Sequence, residues 1–191
     1  MARDTLNDEF YERIKPRLHE RIGRELRLAG RVLDLGCGAC GLVKYLARVY
    51  RQHVTGVDIS SADFPKRPRS SSSARIRCLR RDASHLDFAA NESMDAVVVM
   101  WALHEMEHAT RILREARRVL RPGGEILIVE FPRDSLAHRL WGEDYYSPEE
   151  LAAMLDSAGY QETTVRLIEQ RQVIWARGFR PERLRKRGTA L

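Results

Sequence analysis

Residues 32–41 read Val-Leu-Asp-Leu-Gly-Cys-Gly-Ala-Cys-Gly and contain a Gly-x-Gly-x-x-Gly string, Gly36, Gly38 and Gly41. Glycine lets backbone pack close to a ligand and lets a helix begin in a tight turn. Asp58 lies 17 residues past Gly41, near the spacing at which an acid meets both hydroxyls of a ribose. Two further strings carry chemistry on paper. His104-Glu105-Met106-Glu107-His108 spells H-E-x-x-H, a zinc-protease signature that needs both histidines on one helical face and a third ligand. Here the string begins in the loop straight after a buried strand, so no metal is expected. Cys37-x-x-Cys40 has the spacing of a redox or zinc pair, but no second pair exists and both cysteines fall in the glycine turn, where small side chains pack.

Asp34 chooses between the nucleoside cofactors that such a loop can hold. It stands two residues before the first glycine with its carboxylate facing the turn. A pyrophosphate there meets a like charge across a short distance, whereas a cation is favoured. S-adenosylmethionine carries a sulfonium and an ammonium and no phosphate, so Asp34 tips the balance toward it and away from a dinucleotide.

These residues must be held by regular elements. Phe10, Ile14, Leu18, Ile22 and Leu26 recur at helical spacing, which predicts an amphipathic helix, kinked or split near Pro16. Short β-type runs follow at 31–35, 54–57, 75–79, 96–100 and 125–131, with helices at about 41–51 and 109–121, the second stopped by Arg-Pro-Gly-Gly. Ser147-Pro148-Glu149-Glu150 opens another helix with a capping box, and Gly159 ends it. Runs at 161–168 and 172–178 read as an antiparallel pair. Residues 60–74 combine Ser, Pro and Arg and read as a flexible loop. Alternating strands and helices imply a doubly wound α/β fold, mainly parallel, with ligands at the carboxyl ends of the strands. Gly36–Gly41, Asp58, Asp82 and Trp101–His104 each lie just after a predicted strand, so four loops face one edge.

The 191 residues suit one domain, 1–180, with an N-terminal helical segment at 1–29, a catalytic core at 30–180 and a basic tail at 181–191. Hydrophobic residues make up 43% and charged residues 31%, which excludes a disordered or fibrous chain. The longest apolar run, Ala96 to Leu103, is far short of a membrane span, and the N-terminus has no apolar signal core, so the cytoplasm is the expected location. An odd count of three cysteines in that setting argues for reduced thiols. The net charge of +6 is uneven. Residues 171–191 hold seven Lys/Arg and one Glu, and 66–81 hold seven Lys/Arg and no acid, so two basic islands sit on an acidic body.

Val32–Gly41 resembles the first motif of class I S-adenosylmethionine-dependent methyltransferases. GVDIS at 56–60 resembles the second, RRDASHLDF at 80–88 the third, MDAVVVMWALHEM at 94–106 the strand and loop that follow, and REARRVLRPGGEILIVEF at 114–131 the next helix, turn and strand. The resemblance covers 30–180, and LHEM with GGEILIVEF is similar to the small-molecule branch that includes the ubiquinone/menaquinone C-methyltransferases. It implies a seven-stranded Rossmann-like sheet ending in an antiparallel pair. It also implies a cofactor held by Asp34, Gly36, Cys37 and Gly38, by Asp58 on the ribose beside Ile59, by Asp82 on the adenine amino group beside Ala83, and by Met100 and Trp101 after the fourth strand. Tyr11 can close over it from the N-terminal helix. The 60–74 loop replaces the usual helix, and no insertion forms a separate lid, so the N-terminal helix and 131–147 must build the acceptor pocket.

The implied reaction is an in-line displacement that needs a base only if the nucleophile carries a proton. His104 is the first choice of base, since histidine titrates near neutrality. Set against this is a structural histidine that orients the loop or touches the cofactor carboxylate. Glu105, Tyr145 and Tyr146 are the other catalytic candidates, with solvation or packing as the plain alternatives. Glu130, ending the fifth predicted strand, is expected either to bind a polar acceptor group or to hold a neighbouring loop. The expected partner is a small-molecule acceptor, and a lidless core leaves room for a homodimer. An RNA or protein methyltransferase would use the basic islands as its footprint. A non-catalytic S-adenosylmethionine-binding partner subunit is the third reading.

Overall fold

A computed structural model describes residues 5–65 and 76–183. The chain runs α1 (Phe10–Glu25), β1 (Arg31–Leu35), α2 (Gly41–Val49), β2 (His53–Asp58), β3 (Ile76–Arg80), β4 (Met94–Met100), a 3-10 turn (Leu103–Glu105), α3 (Ala109–Val119), β5 (Leu120–Glu130), α4 (Leu136–Trp141), α5 (Pro148–Ser157), β6 (Gln161–Ile168) and β7 (Val173–Phe179). The strands form one sheet in the order β3-β2-β1-β4-β5-β7-β6. β1 to β5 are mutually parallel, and β7 runs antiparallel to both β5 and β6. The expected doubly wound sheet with a terminal antiparallel pair is therefore present.

Side chains alternate across the sheet and bury it on both faces. Val32, Ala96, Val98, Leu127 and Val129 pack with α1 and α2, while Leu33, Leu35, Val97, Val99 and Ile126 pack with α3 and α5. The strand order reverses between β1 and β4, and there the loops after both strands open on the same edge.

Three elements differ from the sequence expectation. α1 is one helix that runs through Pro16. Proline removes one backbone hydrogen bond, but Phe10, Ile14, Leu18 and Ile22 are fully buried on one stripe, and that burial outweighs the break. Leu6 and Leu28, flanking that stripe, are exposed. The Arg-Pro-Gly-Gly string does not separate α3 from a strand. It lies inside β5, where pairing with β4 skips from Met94–Leu120 to Ala96–Glu125 and the intervening residues bulge, with Gly123 at φ +72. α4 was not expected, because six residues are too few to display a helical period. The capping box at α5 is as predicted: Ser147 Oγ accepts from the Glu150 amide at 3.1 Å and Glu150 accepts from the Ser147 amide at 2.7 Å. Arg133 grips the same Glu150 carboxylate at 2.7 and 2.9 Å, tying the segment after β5 to α5.

Gly36 shows how tightly the first loop is set. Its φ is +73, and a Cβ there would stand 2.4 Å from Ala102 Cβ and 2.8 Å from Met106 Cε. Gly36→Ala is therefore expected to cost about 1–3 kcal/mol, read as a lower urea midpoint at unchanged slope. A wild-type midpoint would show that the loops after β1 and β4 are not packed together.

Among the described residues no helix is long and apolar enough to cross a membrane. The predicted loop at 60–74 lies outside the described residues from 66 onward, as does the tail from 184.

Candidate active site

The loop after β1 is pinned from the neighbouring strand. The Gly36 and Cys37 amides both donate to the Val57 carbonyl, at 2.8 and 3.0 Å. The Gly38 amide donates to one oxygen of Asp58 and the Ser60 amide to the other, each at 2.9 Å. Asp58 thus holds two loops together by its carboxylate. Gly38 has φ +46, and a Cβ on it would meet nothing within 4 Å, so backbone is offered to open space there. Ile59, beside Asp58, leaves 74% of its surface exposed as an apolar shelf at the same edge.

Asp34 is buried beneath this loop. Burial, then the charge of Asp58, pushes its carboxyl up to about 8. Neither acid makes an ion pair with Lys or Arg among the described residues. The empty protein should lose stability as pH rises from about 4 toward 8, because Asp34 holds its proton when folded and releases it when unfolded. Each pH unit in that window is worth up to about 1.4 kcal/mol. Chemical denaturation at pH 6 and pH 8 checks this, with Asp34→Asn flattening the difference.

Cys37 lies under the same loop, its thiol pushed up to about 12 by burial and by Asp34 and Asp58. A thiol so raised is a poor nucleophile near neutral pH, which argues against the redox reading of Cys37-x-x-Cys40. The expectation of three reduced thiols is met only at Cys37. Cys40, capping α2, is joined to Cys78 on β3 by a disulfide, because the packing of α2 brings their Cα atoms to 6.8 Å.

After β3, Asp82 is exposed and accepts from the Ser84 amide at 2.7 Å, a bond that holds its carboxyl below the usual range, with Ala83 buried beside it. After β4 the chain turns sharply: Trp101 sits at φ +55, a conformation a bulky residue adopts only under constraint. Its amide still donates to the Val129 carbonyl at 2.8 Å, and its indole stacks on Phe131 with centroids 5.0 Å apart. Met100, ending β4, is half-buried against the same core. Tyr11 reaches this stack from α1, edge-on to Trp101 and Phe131, and its hydroxyl accepts from the Ala137 amide at 2.9 Å. Trp141 and Tyr145 complete the wall. The N-terminal helix and the 131–147 segment thus build one buried aromatic cluster beside the glycine loop. Trp101 Nε1 and the Tyr145 hydroxyl are buried in it without hydrogen-bond partners.

His104 stands at the end of that wall, its ring centroid 4.6 Å from that of Tyr145. Nδ1 donates to Glu130 at 2.9 Å, and Nε2 lies 3.1 Å from Glu143 and 3.8 Å from Glu105. Burial alone would lower the imidazole, but the bond and charge of Glu130, with Glu105 and Glu143, outweigh it and raise its pKa. Glu130 is fully buried and also accepts from the amides of Leu103, His104 and Phe131. Of its two expected roles it takes the structural one, holding the loop after β4. Tyr145 and Tyr146 part company, as strand-like neighbours do: Tyr145 joins His104, and Tyr146 packs into the core on the other face of the sheet. Burial, then Glu143, Glu130 and Glu105, pushes the Tyr145 phenol up. His108, at φ 61, precedes α3 while His104 lies in the 3-10 turn, so H-E-x-x-H does not present two histidines on one helical face.

Sequence reading missed Phe131, Trp141 and Glu143. Trp141 and Glu143 flank Gly142, at φ +71, and only its turn after α4 brings Glu143 back to His104. Among the described residues, three of the seven basic residues of 171–191 are paired: Arg177 with Glu25 and Glu125, and Arg180 and Arg183 with Glu92.

A methyltransferase-domain family model matches residues 33–128. Phthiotriol/phenolphthiotriol dimycocerosates methyltransferase 1 of Mycobacterium ulcerans is 34% identical over 130 residues, 66% of this chain and 47% of that protein. The chain thus spans about half the length of that relative. Demethylmenaquinone methyltransferase of Tropheryma whipplei is 31% identical over 169 residues, covering 70% of this chain and 67% of the relative. Among solved structures, an S-adenosylmethionine-dependent methyltransferase from Aquifex aeolicus superposes with a TM-score of 0.70 at 18% identity, over 85% of this chain and 89% of that one.

Proposed function

The chain belongs to the class I S-adenosylmethionine-dependent methyltransferases, and from that membership we propose that it methylates a small, largely apolar acceptor by direct in-line displacement. One observation carries the reading: the glycine loop held by Asp58 and the aromatic cluster of Tyr11, Trp101 and Phe131 lie at the same edge of the sheet. The residues fit the family's cofactor, S-adenosylmethionine, which supplies a methyl group activated on a sulfonium. Gly38 gives its backbone room, Asp58 has the chemistry to accept ribose hydroxyls, and Asp82 that to accept the adenine amino group. Ile59 and Ala83 offer apolar contact, and the unpaired Asp34 favours the cationic end.

Tyr11, Trp101, Phe131 and Tyr145 exclude water from the acceptor side, which assists a reaction that disperses charge. Their main task is to hold the nucleophile about 3–3.5 Å from the reacting carbon, in line. Trp101 Nε1 and the Tyr145 hydroxyl are free donors for an acceptor oxygen. His104 and Glu105 stand at the polar end of that wall and orient the same acceptor group. The acceptors in the relatives' names, a phthiotriol dimycocerosate and demethylmenaquinone, are small molecules and not RNA or protein.

The test is methyl-labelled S-adenosylmethionine offered with long-chain diols, naphthoquinols, transfer RNA and a protein mixture. Label in the organic extract is expected. Label confined to RNA or protein would overturn the reading in favour of a footprint on the basic islands, and tight cofactor binding with no transfer to any acceptor would favour a non-catalytic subunit. Cofactor affinity should also rise between pH 6 and pH 8, up to about tenfold per unit, as Asp34 releases its proton to a cation. Calorimetry in two buffers of different ionisation heat would detect that proton.

A further inference from the structure

The geometry points to a divalent transition-metal site formed by His104 Nε2, Glu105 and Glu143. One ligand atom from each of the three lies within 4.8 Å of the others. Nε2 is 3.1 Å from Glu143 and 3.8 Å from Glu105. Ligands held about 2.0–2.2 Å from one ion stand about 3–4 Å apart, so small side-chain shifts close the set.

Three independent features support it. Nδ1 of His104 donates to the buried Glu130, which leaves Nε2 as the ligating nitrogen and fixes the ring, the carboxylate–imidazole arrangement that commonly backs a metal-bound histidine. Three carboxylates surround one imidazole, and neither Glu105 nor Glu143 pairs with Lys or Arg among the described residues. A protonated imidazole leaves two of those charges uncompensated, whereas a divalent ion on the neutral ring leaves one. The Tyr145 hydroxyl is buried without a partner, on a ring whose centroid lies 4.6 Å from that of His104. One imidazole with two carboxylates suits manganese, iron, cobalt or zinc better than magnesium, which favours all-oxygen sites. The site unites the turn after β4 with the segment after α4, beside the aromatic wall. That an acceptor oxygen would be a further ligand rests on the proposed function; metal binding itself does not.

The experiment therefore uses the full chain, stripped with chelator and dialysed, without cofactor or acceptor. Cobalt(II) and zinc(II) chlorides are titrated separately, by visible absorption and by calorimetry. One equivalent should bind, with a cobalt d–d band and a raised melting temperature. Glu143→Gln and Glu105→Gln, both on exposed side chains whose loss spares the fold, should each weaken binding at least tenfold. His108→Gln should leave the affinity unchanged. The proposal is overturned if the wild type binds no stoichiometric ion, if Glu143→Gln binds as tightly as wild type, or if the cobalt spectrum shows a thiolate charge-transfer band, which would put the ion on cysteine.

Discussion

Glu130→Ala is expected to destabilise the protein by about 3–5 kcal/mol, the cost of removing one partner from a buried charge pair. Glu130 is fully buried, and its two oxygens take the His104 ring and three backbone amides. Truncation leaves those amides without an acceptor inside the protein, each at a desolvation cost of about 1–3 kcal/mol if nothing replaces it. Water and loop movement will recover part, which is why the sum is not expected. Glu130→Gln keeps the shape and an acceptor oxygen and should lose less. Urea denaturation measures both. An alanine variant within about 1 kcal/mol of wild type would show that the loop after β4 reorganises freely and that Glu130 is not its anchor.

Asp58→Ala is expected to weaken binding of S-adenosylmethionine by about 1–3 kcal/mol, roughly five- to 150-fold. Two effects add. The variant loses the acceptor for the cofactor's hydroxyls, and it frees the amides of Gly38 and Ser60, which the carboxylate holds at 2.9 Å each. The glycine loop then samples conformations that do not bind. Asp58→Asn, which retains one acceptor oxygen, should fall between. Calorimetry with the wild type and both variants reads the result, and an unchanged affinity for Asp58→Ala would remove Asp58 from the cofactor site.

The glycine-loop half of the candidate site was the more legible in sequence. Asp34, Gly36, Gly38 and Asp58 occur within a few residues of their strands, so a local pattern carries both their identity and their place at the strand ends. The acceptor half was legible only as two segments, the N-terminal helix and 131–147, with Tyr11 and Tyr145 but not Phe131 or Trp141. Nothing in the spacing of Tyr11 and Phe131 announces that their rings meet at 4.8 Å. His104 was found, but its role turns on Glu130 and Glu143, 26 and 39 residues away in the chain. Glu130 takes Nδ1, so Nε2, 3.1 Å from Glu143, is the ring nitrogen left for chemistry. Disulfide pairing was likewise beyond a count of cysteines, since α2 and β3 meet only through packing.

Period and punctuation in the chain were enough for the doubly wound sheet, the capped helix at 148–157 and the acids at the glycine-loop edge, because each depends on neighbours within one or two turns of backbone. Three matters depended on long-range contact instead. α1 continues through Pro16 because its buried stripe outweighs one missing hydrogen bond. Glu130 turns inward to the loop because three amides and an imidazole converge on it. Glu143 meets His104 because Gly142 reverses the chain after α4. In each case the deciding energy comes from groups distant in sequence, and no local pattern records it.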